Sequence, residues 1–324
     1  MQRKPIRGLH YSVERYAAAL RAVMPTDIAV RARVVPVESR AIVRRLWIIA
    51  DVARQRGDVV HVTGDIHFAS LGVRRRRSVH TVLDCGLAFG DSLKARIFRR
   101  FWLRGPLRRS ARVVAISAFT AEQVARYAHI DRDRIDVIPV AVDDSFEPAP
   151  SHPPGATRTV LCFAHTPNKN INRIIDALDG LDVRLLVVGP MPDSAHARLR
   201  ASGVEYTNEV GLTDGALRER YAECDVMLFP STYEGFGMPI VEAQAVGRPV
   251  VTSDRAPMNE VAGGAACLVE PEDVLSIRGG LRRVLDDAEY RAELVRKGFE
   301  NRERFRPDAA ARAYAQIYRE MAAS

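Results

Sequence analysis

At 324 residues, with 47% hydrophobic and 27% charged residues, the chain suits two ordinary globular domains, which excludes disordered and fibrous classes. No apolar run approaches the roughly 18 residues that span a bilayer. The formal charge of +8 is an arginine charge, with Lys4, Lys94, Lys169 and Lys297 the only lysines; neither aromatic platforms nor a groove-reading helix accompanies it, so no nucleic-acid partner is expected.

The opening Met1-Gln2-Arg3-Lys4-Pro5 is basic but leads into Tyr11-Ser12-Val13 instead of an apolar signal core, which predicts a cytoplasmic protein. Helices are expected over Ser12 to Met24 and Thr120 to Tyr127, with Ser12 and Ser117 as N-caps. Apolar, β-branched strand candidates alternate with such helical segments: Ile28 to Val35, Val59 to Val62, Val79 to Leu83, Arg112 to Ile116 and Asp136 to Val140. Such alternation builds a parallel sheet covered on both faces. A domain of this kind opens on a buried strand, and the polar residues before Tyr11 supply none; the first strand is expected to be missing, with a start codon upstream.

Proline-rich residues from Phe146 to Gly155 hold neither ladder nor helix and read as a linker, 148–157. Alternation then restarts with strands Thr159 to Phe163, Arg184 to Val188, Val226 to Phe229, Val250 to Thr252 and Cys267 to Val269, and a mostly helical tail from Glu272 to Met321. The expected architecture is two doubly wound α/β domains facing a cleft: 1–147, then 158–305, with a helix over 306–324 packing back toward the first domain. Cys85, Cys162, Cys224 and Cys267 lie far apart in or beside apolar segments and read as reduced core residues.

The densest chemistry follows the strand Asp225 to Phe229. A loop, Pro230 to Gly237, leads into a helix, Pro239 to Val246; Gly235 and Gly237 permit close backbone approach, and Pro239 suits a first helical turn. The N–H groups and positive dipole end there suit a diphosphate. Glu234 and Glu242, with seven residues between, flank this point, and a carboxylate can hold paired sugar hydroxyls. Alternatively, Glu234 is a plain loop carboxylate and Glu242 a charge complementing the dipole. Lys169 lies directly after the strand Thr159 to Phe163, where the plain reading is a solvated loop lysine. In the first half, His67 ends a strand and is either a sugar-contacting residue or a packed one. The string Asp131-Arg132-Asp133 marks a turn, and no metal site is expected.

Ser231-Thr232-Tyr233-Glu234-Gly235-Phe236-Gly237-Met238-Pro239-Ile240-Val241-Glu242, followed by Gly247-Arg248-Pro249, resembles the E-x7-E donor motif of glycosyltransferase family 4. The resemblance runs on through Glu260-Val261 and Gly264 to Val269. It implies a GT-B fold of two Rossmann-like domains and a metal-independent, retaining hexosyl transfer. The donor would be a UDP- or GDP-linked sugar, with no further cofactor, and the acceptor a glycan or lipid-linked hydroxyl in bacterial surface polysaccharide or glycoconjugate synthesis. It implies catalytic roles for Glu234 at the transferred sugar and Lys169 at the diphosphate. Donor contacts would come from Gly235, Phe236, Gly237, Met238, Pro239, Glu242, Asn168 and Gly211. His67 and Asp84 would lie on the acceptor or sugar side, although Leu83 stands where the family often has a histidine. Two rivals are a non-catalytic subunit that binds the donor and a sugar-nucleotide epimerase of the same fold. Finally, Arg74 to Arg77 and the arginine- and aromatic-rich run from Arg96 to Arg109 suit peripheral attachment to the anionic inner face of the membrane.

Overall fold

The computed structural model describes residues 1, 12–38, 41–64, 66–90, 92–150 and 157–323. Met1, residues 12–141 and the stretch from Pro307 form one compact unit, and Val142–Arg306 forms the other.

The first unit runs α1 (Ser12–Ala22), α2 (Ile42–Ala53), β1 (Val60–Thr63), β2 (Ser78–Val82), α3 (Leu93–Ile97), α4 (Gly105–Arg109), β3 (Arg112–Ala115), α5 (Ala118–Ala128) and β4 (Ile135–Val137), with a π-helical turn, Phe98–Arg104, between α3 and α4. Its four strands pair in parallel in the order β1-β2-β3-β4. Val62, Val79, Val82, Val114 and Ala115 are wholly buried, as the apolar runs of a covered parallel sheet require. Ser117 caps α5 by accepting from the Thr120 N–H at 3.0 Å. Ser12, by contrast, is the first residue of α1 instead of its cap.

The expected strand Ile28 to Val35 does not form; only an isolated bridge occurs, at Val34. Its alternating valines and arginines offer no buried face, since Val30 and Val34 are exposed and only Val35 is enclosed. Arg33 instead reaches Asp51 of α2 at 2.6 Å, tying the segment to a helix. Met1 lies against the outer edge of β1, its carbonyl accepting from the Thr63 N–H at 3.0 Å. The loop expected at Arg3-Lys4-Pro5 lies outside the described residues.

The second unit continues β5 (Arg158–Phe163), α6 (Ile171–Leu178), β6 (Val183–Val188), α7 (Asp193–Ser202), β7 (Glu205–Glu209), α8 (Asp214–Glu223), β8 (Val226–Phe229), α9 (Met238–Val246), β9 (Val250–Ser253), α10 (Met258–Ala262), β10 (Cys267–Val269), α11 (Val274–Asp286) and α12 (Ala288–Arg302). Its six parallel strands are ordered β10-β9-β8-β5-β6-β7. The polar edge strand β7, Glu-Tyr-Thr-Asn-Glu, carries none of the apolar signal of its neighbours and is not expected from sequence. Residues 151–156 of the expected linker lie outside the described residues. The part before them packs on the second unit: Phe146 is buried, the Ala149 N–H donates to the Val246 carbonyl at 3.0 Å, and Pro150 accepts from Arg248 at 2.8 Å.

The last helix, α13 (Pro307–Ala322), belongs to the first unit. A buried polar chain fixes it there. Tyr16 of α1 donates to the Tyr314 hydroxyl at 3.0 Å, which meets Thr81 Oγ1 of β2 at 2.9 Å; Thr81 meets His61 Nε2 of β1 at 2.7 Å, and His61 Nδ1 meets Tyr318 at 2.6 Å. Burial holds His61 far below its usual value of 6.5, at about 3, so it is neutral in the folded protein. Below pH 6.5 the unfolded chain takes up a proton that the folded chain refuses, and stability falls until the pH nears 3. The full slope is about 1.4 kcal/mol per pH unit for one such histidine. The urea midpoint should therefore drop steeply between pH 6.5 and 4.5, and His61→Gln should flatten that drop by about one proton's worth. Parallel curves for the two proteins would refute the assignment.

Candidate functional site

In the second sheet the chain winds outward from β5 in one direction through β6 and β7, then returns to place β8 on the other side of β5. The reversal leaves β5 and β8 adjacent with their following loops leading apart, the point at which doubly wound sheets bind ligands. The loop after β5 holds Asn168, Lys169 and Asn170. The loop after β8 holds Ser231 to Gly237.

The two loops are bonded directly to each other. Lys169 Nζ donates to Glu234 Oε1 at 2.5 Å, and Asn168 Nδ2 donates to the same oxygen at 3.3 Å and to the Tyr233 carbonyl at 2.7 Å. Backbone joins them as well, the Thr232 N–H donating to the Asn168 carbonyl at 2.9 Å. The Lys169 side chain is 7% exposed and that of Glu234 15%, so the pair is largely removed from water. The ammonium also rests over the Phe229 ring, 4.5 Å from its centre, a favourable cation–π placement. These contacts occupy one of three ammonium protons and one of two carboxylate oxygens, and Glu234 Oε2 has no partner among the described residues.

Gly237 enters α9 with φ +100°, a left-handed conformation that glycine adopts without strain. Met238 and Pro239 form the half-exposed first turn, and Gly235 is also half-exposed. Glu242, one turn further on, is buried and accepts from the Tyr221 hydroxyl at 2.7 Å. Phe236 turns its ring into the core, edge-on to Phe305 at 5.5 Å between centres, so only its backbone stays in the loop. Gly211 lies exposed in the turn after β7, two strands away from β5.

In the first unit, His67 is buried with Nδ1 2.7 Å from His80 Nε2, and burial drives His80 well below the usual histidine range. Asp84 is exposed and accepts from the Gly86 N–H at 2.9 Å. Asp131-Arg132-Asp133 enters a short 3-10 turn, Arg132–Arg134.

Three contributors escape the sequence reading. Asn170, at φ +64°, donates to the Pro230 carbonyl at 3.0 Å and the Pro271 carbonyl at 2.6 Å, fastening the loops after β5, β8 and β10. Asparagine's tolerance of left-handed backbone is the one local signal for it. Tyr221, the partner of Glu242, sits on α8 with nothing nearby in sequence to mark it. Arg248 is buried and donates to the Tyr221 and Ala222 carbonyls at 3.2 and 2.6 Å, anchoring α8 to α9. Tyr221→Phe removes one buried hydrogen bond to a carboxylate. It should lower the denaturant midpoint by an amount equivalent to about 1.5–3 kcal/mol, and an unchanged midpoint would show that the bond adds nothing.

Two family models match one after the other: Glycosyltransferase Family 4 over residues 11–146 and Glycosyl transferases group 1 over residues 157–287. The MMP alpha-(1->4)-mannosyltransferase of Mycolicibacterium hassiacum is 29% identical over 292 residues, covering 78% of this chain and 67% of that protein. The O-antigen chain mannosyltransferase RfbU of Salmonella typhimurium is 26% identical, over 66% of this chain and 63% of its own. The serotype-specific mannosyltransferase WbdA of Escherichia coli is 28% identical over 61% of this chain, which spans only 27% of it. Among solved structures, sucrose-phosphate synthase from Thermosynechococcus elongatus superposes with a TM-score of 0.77 at 19% identity, covering 96% of this chain and 93% of its own. Anabaena HepE, solved with UDP and glucose, gives 0.76 at 16% identity over 98% and 99%. These likenesses carry the GT-B architecture of two Rossmann-like domains. With both halves matched in series over two parallel α/β units, the chain belongs to glycosyltransferase family 4.

Proposed function

We propose that this protein transfers a sugar from a nucleotide-sugar donor to a hydroxyl of a glycan or lipid-linked acceptor, in the synthesis of a bacterial surface polysaccharide or glycoconjugate. The observation that carries the reading is the Lys169–Glu234 pair, held between two loops at the sheet's reversal and beside the start of α9. The mannosyltransferase names of the relatives favour a mannosyl group, and the UDP-bound neighbour keeps uridine donors in view.

In this reading the remaining ammonium protons of Lys169 and the positive end of α9 receive the diphosphate and oppose the charge that develops as it leaves. No resident metal is invoked. Glu234 Oε2 orients the transferred sugar, and Glu242, steadied by Tyr221, holds ribose hydroxyls. For retention, the acceptor oxygen bonds to the anomeric carbon on the face from which the phosphate oxygen departs, and the acceptor's proton passes to that phosphate. The acceptor is taken up at the cytoplasmic face of an anionic membrane, where the protein is peripheral.

Melting in the presence of UDP, GDP and their sugars identifies the donor, because a ligand of the folded state raises the midpoint. Lys169→Ala and Glu242→Ala should weaken nucleotide binding by roughly tenfold or more, about 1.4 kcal/mol. Glu234→Ala should chiefly lower kcat. Binding and turnover unaltered in all three would overturn the assignment.

A further inference from the structure

Helix α2 is apolar on both sides. Its inner side chains, Ile48 and Val52, are buried in a cluster with Val60, Val62 and Phe68. Its outer face carries Ile42, Val43, Leu46 and Trp47, exposed by 68%, 77%, 60% and 51%. Residues 42 and 46, and 43 and 47, are each one helical turn apart and make a single stripe. A helix that meets only water places polar residues there.

The stripe has an apolar neighbour. Arg45 of α2 lays its guanidinium over the Trp102 ring at 4.3 Å and reaches Phe68 at 5.5 Å, joining α2 to the π-helical turn Phe98–Arg104. That turn and α3 expose Leu93, Ile97 and Phe101, again at four-residue spacing.

Charge indicates what would cover this surface. Residues 1–141 contain 27 Lys and Arg against 12 Asp and Glu, whereas residues 142–306 contain 19 against 26. A uniform arginine bias would not divide the chain into a cationic and an anionic part. From Ser92 to Ala121 there is no acidic residue at all. Among the described residues, no carboxylate pairs with exposed Arg44, Arg96, Arg100, Arg108 or Arg109. A second copy would present the same cationic face to itself in a twofold contact, and like charges oppose that pairing.

We propose that the outer face of α2, with α3 and the adjoining turn, docks on an anionic lipid bilayer. Ile42, Val43, Leu46 and Trp47 enter the boundary between headgroups and acyl chains, and the surrounding arginines meet lipid phosphates. The inference deepens the membrane-surface reading given above by naming the element that enters the lipid.

Trp47 and Trp102 are the chain's two tryptophans, so Trp102→Phe leaves Trp47 as sole reporter. In the full chain carrying that change, Trp47 emission should shift to the blue with phosphatidylglycerol vesicles and be quenched by brominated acyl chains, but stay unchanged with phosphatidylcholine alone. In flotation of the otherwise native chain, Ile42→Ser with Leu46→Ser should lower the partition coefficient by about tenfold or more. Vesicle binding that the serine pair leaves unaltered would overturn the proposal. So would a blue shift that needs no vesicles and tracks a doubling of mass, which would assign the face to a second copy. The nucleotide-induced melting shift reports the second unit independently: its survival beside failed flotation sinks the docking surface and the membrane attachment but leaves the donor reading standing, and its loss with intact flotation sinks the donor reading alone.

Discussion

A lysine almost wholly withdrawn from water requires a counter-charge, and in this protein that requirement ties the second unit's chemistry to its topology. Breaking a buried pair by removing one member costs about 3–5 kcal/mol, because the survivor is left charged and unpaired. Lys169 and Glu234 are 65 residues apart in sequence and meet only because β8 returns to the far side of β5. The pair thus depends on the strand order. In turn it fixes both loops at the edge where the helix start is presented. Asn170 reinforces the arrangement by bonding two further loop carbonyls from a left-handed backbone.

Glu242 is held by a different means. Beyond its half-exposed first turn helix α9 is enclosed, with Ile240 to Val246 all buried, and its two polar residues are both satisfied internally. Tyr221 bonds Glu242, while Gln244 donates to the Ala262 and Ala265 carbonyls at 3.2 and 3.1 Å and accepts from Asn301 at 2.8 Å. A helix gripped on every side does not rotate to suit a ligand. The start of α9 and Glu242 are therefore fixed in place, which is what the proposed stabilisation of developing charge requires.

The parallel strands were legible because burial on both faces leaves unbroken β-branched runs, such as Val226 to Phe229 and Arg184 to Val188. The edge strand β7 has neighbours on one side only, so its residues stay polar and carry no such signal. Ile28 to Val35 has the opposite defect: strand-like residues that find no buried face, with Val30 and Val34 left exposed. At the candidate site, the placement of Glu234 and Lys169 in loops after strands, and of Gly237 at a helix start, was legible from the neighbouring strand and helix patterns, whereas their roles are part of the proposal. Asn170 and Tyr221 were not legible, because their work is defined by partners 60 or 101 and 21 residues away. His67, in a short 3-10 turn over His67–Gly72, faces His80 of β2 through a contact that no local pattern announces.

The division of charge between the two parts of the chain bears on how an anionic donor is captured. With 19 basic against 26 acidic residues, residues 142–306 carry a net negative charge and do not attract a nucleoside diphosphate from a distance. At physiological ionic strength fields fade over roughly 8 Å, so what matters is the charge within a few ångströms of the phosphates. There the unit concentrates its one buried ammonium and a helix start, and in the proposed reading Glu234 neutralises the ammonium until a phosphate competes for it. In that reading capture rests on short-range hydrogen bonds with defined geometry, which discriminate a diphosphate from other anions better than a broad positive field would. The broad positive field belongs to the first unit, where the proposed docking sets it against an extended anionic surface.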